Sequence, residues 1–145
     1  MQHKILIVDD EESVRFVIKE AFSRSYQVFT TAEGMDALEI IKRERPALVF
    51  LDIKMPGLSG LDVLRMVKDA GLNPVIWMLT GEEDLDVALK TLKMGASGYL
   101  TKPFEIQKIR DIVVNAITGS EQKEHHDTRE DRPWRVKKKS PKKQE

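Results

Sequence analysis

An α/β fold, with a doubly wound five-stranded parallel sheet and five helices, is the architecture this sequence predicts. Five short apolar runs alternate with five amphipathic runs, and strict alternation places helices on both faces of a parallel sheet. The residues that break the apolar runs are polar and fall at their carboxyl ends, where open parallel sheets bind ligands.

The strand-like runs are about 4–8, 26–31, 47–51, 75–79 and 98–101. They are short and mostly apolar, as strands covered on both faces must be. The first helix covers about 12–23, with Val14, Val17, Ile18, Ala21 and Phe22 on one stripe. The second covers about 33–43 and buries Ala37, Leu38 and Ile41. Ser59 caps the third, which buries Leu61, Leu64 and Val67 and stops at Gly71. The fourth starts near Glu83, with acidic residues in its first turn, and buries Leu85, Ala88 and Leu92. The fifth runs from about 105 to 118 with Ile106, Ile109, Val113, Ala116 and Ile117 inward, and Gly119 caps it. From residue 120 the periodicity stops. Residues 1–119 therefore form one domain, and 120–145 a charged tail expected to be disordered.

With 145 residues the chain has room for one proper core. It has no cysteine, which excludes disulfides, thiolate metal sites and thiol nucleophiles. The start does not read as a signal peptide and no apolar run is long enough to span a membrane, so a cytoplasmic protein with no membrane partner is expected. The zero net charge hides an asymmetry. Residues 1–118 hold 15 basic and 18 acidic residues, and the remaining 27 hold 9 basic and 6 acidic. The body is thus not expected to bind nucleic acid.

Asp9 and Asp10 end the first apolar run, Asp52 the third, Thr80 the fourth, and Lys102 follows the fifth. On neighbouring parallel strands these groups share one sheet edge. Asp9-Asp10 alone reads as a helix N-cap pair, and Asp52 before Pro56-Gly57 as turn chemistry. Together they make a pocket of three carboxylates, whose like charges raise one another's pKa until a hard cation relieves them. Mg²⁺ suits such a site, taking carboxylate and phosphate oxygens. A carboxylate nucleophile such as Asp52 can take a phosphoryl group, and its added charge lies against Lys102 and the Thr80 hydroxyl. A cis Lys102–Pro103 bond would aim that lysine inward.

These residues resemble the receiver domain of two-component response regulators. The match runs from His3 to about Thr118. It is carried by Asp9-Asp10, by Asp52 with Met55-Pro56-Gly57 and Gly60, by Thr80-Gly81, by Tyr99, and by Lys102-Pro103-Phe104. The resemblance implies a flavodoxin-like sheet of strand order 2-1-3-4-5. It implies that Asp52 accepts phosphate from a sensor histidine kinase or phosphotransfer protein. It also implies Mg²⁺ held by Asp10, Asp52 and the Lys54 carbonyl, with Asp9 acting through water. Thr80 and Tyr99 correspond to the switch pair. The fourth helix, fifth strand and fifth helix, about 83–118, correspond to the surface that meets a downstream effector. The protein would be a monomer or a phosphorylation-dependent dimer, and its only chemistry would be its own phosphorylation and dephosphorylation. In that family the residues two after the acceptor and two after the switch threonine flank the path of the attacking water. Here they are Lys54 and Glu82, an opposite-charge pair that predicts slow loss of phosphate.

Three other functions compete. A flavin-binding fold of similar topology wants a Ser/Thr/Gly-rich phosphate loop after the first strand, where Asp9-Asp10-Glu11-Glu12 would repel phosphate. An aspartyl-nucleophile phosphohydrolase wants a second acid two residues after Asp52, where Lys54 stands. A DNA-associated regulator would use the basic run Lys137–Lys143, since the 26 residues from Ser120 are too few for a winged helix.

Overall fold

The computed structural model describes residues 2–122. The expected tail falls largely on 123–145, outside the described residues. The strands are β1 (Lys4–Val8), β2 (Gln27–Thr31), β3 (Leu48–Asp52), β4 (Val75–Thr80) and β5 (Gly98–Thr101). The helices are α1 (Glu12–Phe22), α2 (Gly34–Glu44), α3 (Gly60–Asp69), α4 (Leu85–Lys93) and α5 (Ile106–Gln122). A 3-10 turn, Glu82–Asp84, leads into α4. The sheet is wholly parallel, in the order β2-β1-β3-β4-β5. Each element matches its expected run to within a few residues, and the strand order is the expected one.

Alternation within the apolar strands divides the interior in two. Leu6, Val8, Val49, Leu51, Ile76 and Met78 face α2, α3 and α4. Ile5, Ile7, Leu48, Phe50, Trp77 and Leu79 face α1 and α5. The strand order reverses after β2, and right-handed crossovers then place the helices on opposite faces. The strand ends are set by register: Val8 lies opposite Leu51 and Thr31, Asp52 opposite Leu79, and Thr80 opposite Thr101.

Ser59 caps α3 as expected. Its hydroxyl accepts from the Asp62 N–H at 3.2 Å, and the Asp62 carboxylate accepts from the Ser59 N–H at 3.2 Å. Gly60 N–H donates to the Ile53 carbonyl at 2.8 Å. The backbones are so close there that a Cβ on Gly60 would run into the Asp52 carbonyl.

Four details depart from expectation. Val17 faces solvent and Val63, not Leu61, is the buried residue at the start of α3. Gly119 does not cap α5, which continues to Gln122. On α4, Ala88 and Thr91 are buried, whereas Leu85, Leu89 and Leu92 are 39%, 50% and 36% exposed. The helix presents its small residues to the sheet, and the buried Thr91 hydroxyl is satisfied locally, donating to the Ala88 carbonyl at 2.6 Å.

Candidate functional site

The carboxyl edge of β1, β3, β4 and β5 brings Asp9, Asp10, Asp52, Thr80 and Lys102 to one place. Asp9 follows β1 and is fully buried. Its N–H donates to the Thr31 carbonyl at 3.1 Å, and its Oδ1 accepts from the Glu11 N–H at 2.9 Å. Arg15 Nη1 donates to its carbonyl oxygen at 2.6 Å. Asp10 is exposed at the rim. Asp52 ends β3 and is buried, with Oδ1 accepting from the Lys54 N–H at 3.2 Å.

Lys102 reaches in from β5, and its peptide bond to Pro103 is cis. Its N–H donates to the Thr80 carbonyl at 2.7 Å. Its Nζ lies 2.9 Å from Asp9 Oδ2, 2.9 Å from Glu11 Oε1 and 3.4 Å from Asp52 Oδ2. The contact to Asp9 Oδ2 is an ion pair without hydrogen-bond geometry, so this buried oxygen has no donor of its own. Carboxylate oxygens of Asp9, Asp10 and Asp52 fall within 4.8 Å of one another. A buried oxygen lacking a donor, beside two more carboxylates, fits a hard cation. Glu11 adds a fourth carboxylate that sequence reasoning missed.

Burial raises the Asp52 carboxyl to about 7, with help from the Asp9 charge and against the pull of Lys102. Burial disfavours the Lys102 ammonium, but the carboxylates of Asp9, Glu11 and Asp52 outweigh it and raise that group further above its ordinary range.

Thr80, at the end of β4, is buried and its hydroxyl donates to the Gly81 carbonyl at 3.0 Å. Tyr99 lies opposite Met78 on the neighbouring strand and is half-buried. Lys54 stands at the pocket mouth, but among the described residues its ion pair is with Asp84, at 3.7 Å, and not with Glu82. Glu82, Glu83 and Asp84 form a 3-10 turn, in which Asp84 faces Lys54 while Glu82 lines the groove beside β5. Along the outer edge of β5 runs a groove of about 890 Å³, lined by Leu89 and Leu92 of α4, by Tyr99, and by Phe104 and Lys108.

A family model described as the response regulator receiver domain matches residues 5–114. The chain belongs to this family. Among curated relatives, sporulation initiation phosphotransferase F of Bacillus subtilis is 40% identical over 114 residues, covering 78% of this chain and 92% of that protein. The alkaline phosphatase synthesis transcriptional regulatory protein PhoP of the same organism is 35% identical over 83% of this chain. The chain spans only 51% of that longer relative. A response regulator receiver domain from Clostridium thermocellum has a TM-score of 0.76 at 34% identity, over 82% of this chain and 97% of that one. This receiver domain therefore carries its acidic pocket where the family's fold places the carboxyl edge of its sheet. No helix among the described residues is long and apolar enough to cross a membrane.

Proposed function

We propose that Asp52 accepts a phosphoryl group from the phosphohistidine of a sensor histidine kinase or phosphotransfer protein, in a cytoplasmic signalling pathway. The observation that carries this reading is the position of Asp52. It is the pocket carboxylate that ends a central strand, with Oδ1 held by a backbone N–H and Oδ2 turned to Lys102. An Asp52 oxygen attacks phosphorus, the P–N bond breaks, and the imidazole nitrogen leaves with the bonding pair. The product is an acyl phosphate on Asp52.

Mg²⁺ would be held by Asp10, Asp52 and the Lys54 carbonyl, with Asp9 acting through water, and would neutralise the phosphoryl oxygens. Lys102 supplies a further positive charge. Thr80 turns its hydroxyl from the Gly81 carbonyl to the phosphoryl group, and Tyr99 follows inward. The altered face spans about 83–118, including the groove beside β5, and meets a downstream effector or a second copy of the domain. The domain turns over no external substrate beyond its own phosphoryl group. Lys54, tethered by Asp84, stands with Glu82 where hydrolytic water enters and prolongs the acyl phosphate.

Incubation with acetyl phosphate and Mg²⁺ should give an acid-stable, base-labile adduct that Asp52→Asn lacks. An undiminished adduct on the variant, mapped to another residue, would overturn the assignment. In the same assay Lys54→Asn should lose phosphate several-fold faster, about 1 kcal/mol of barrier; an unchanged lifetime would refute the shielding.

A further inference from the structure

We propose that Glu11 is a positioning residue for Lys102, holding its ammonium in the resting protein and yielding it when Asp52 carries a phosphoryl group. The inference rests on Asp52 as acceptor and adds a competitor for the lysine.

Glu11 occupies the N-cap position of α1, with extended backbone (φ −89°, ψ 117°), but its side chain makes no capping bond. Short polar residues at that position fold back onto the first turn. The longer Glu11 side chain instead crosses the pocket to bond Lys102 at 2.9 Å. Its main chain is fixed by the bond from its N–H to Asp9 Oδ1, while Arg15 secures the Asp9 carbonyl. The carboxylate can therefore leave Lys102 without moving the backbone.

The ammonium has three N–H donors and three carboxylate neighbours. Two contacts are at 2.9 Å, while Asp52 lies farther off at 3.4 Å. Lys102 thus sits nearer Asp9 and Glu11 than the acceptor. A phosphoryl group on Asp52 draws the ammonium toward its oxygens, and so away from one of the two nearer carboxylates. Asp9 is fully buried, and Lys102 is the one protein group against its Oδ2 among the described residues, so releasing it costs more. The Glu11 side chain is 58% exposed and rehydrates on release. Glu11 is the exchangeable partner, because its own carboxylate already meets water.

The probe is beryllofluoride with Mg²⁺, a phosphoryl stand-in, with affinity read by calorimetry and the Lys102 ammonium by ¹⁵N NMR. Glu11→Gln should bind about three- to fivefold more tightly than the parent, and its free-state Lys102 signal should move toward the bound position. Glu11→Asp, one methylene too short to hold the ammonium, should behave likewise. Glu12→Gln removes the same charge one residue on, from an exposed site, and should match the parent. Equal or weaker binding by Glu11→Gln would overturn the proposal. Equal tightening by Glu12→Gln would do the same, since the effect would then be diffuse charge. If the parent fails to bind the probe, or Asp52→Asn binds as well as the parent, the acceptor assignment itself falls and Glu11's role falls with it.

Discussion

Asp52 ionises against its surroundings, and that has a sign. Its carboxyl is raised from 3.8 to about 7, chiefly by burial and then by Asp9. Between those values the folded protein keeps a proton that the unfolded chain releases. Stability is therefore greatest below about pH 4 on this account and declines as pH rises through 7. Water at the open side of the pocket screens the effect, leaving about 1 kcal/mol. In cation-free buffer Asp52→Asn should exceed the parent in urea midpoint at pH 8, with the gap closing toward pH 5. A gap that stays constant with pH would contradict the burial argument. Asp9, Asp10, Asp52, Thr80 and Lys102 were legible in the sequence because each ends an apolar run. Glu11, Arg15 and Asp84 were not. Each is a charged residue near a helix start, and such residues usually only meet water. Which way their side chains turn depends on neighbours up to 91 residues away in the chain.

Two glycines beside the pocket separate close packing from open space. At Gly60 an added Cβ would lie 2.8 Å from the Ile53 Cα and closer still to the Asp52 carbonyl. Both are backbone atoms that cannot swing aside. Gly60→Ala should cost about 2 kcal/mol by overpacking and displace the acceptor, read as a lower urea midpoint and slower phosphorylation by acetyl phosphate. Gly81 has φ −82° and would meet only the Glu83 carboxylate, at 2.8 Å. Gly81→Ala should therefore keep the parent midpoint to within about 0.5 kcal/mol, and a large loss there would show that Glu83 is pinned. Strands and most helices were legible from apolar periodicity. The α4 interior was not, because three leucines outweigh an alanine and a threonine in any hydrophobic pattern. The run of α5 past Gly119 was hidden too. A glycine there meets nothing within 4 Å, and mid-helix it lowers stability without ending the helix.

For the molecule as a whole, the sheet is a shared wall between two apolar interiors, with α1 and α5 on one side and α2, α3 and α4 on the other. Alternation alone called for helices on both faces; the strand order came from the family resemblance, since periodicity does not say which edge a strand joins. The two sides are not equally fastened. α1, α2, α3 and α5 each bury branched or aromatic side chains, whereas α4 buries only Ala88 and Thr91. At about 25 cal/mol per Å² of apolar surface, detaching α4 exposes little that water resists. Amide hydrogens of 85–93 should exchange with deuterium through a local opening that low urea does not accelerate. Those of β1 and β3 should exchange only when the whole domain unfolds. Equal, urea-dependent exchange in both places would mean a single cooperative unit. A domain that opens first at α4 can repaint its outer face while its centre stays shut, and that loose seam begins five residues after Thr80.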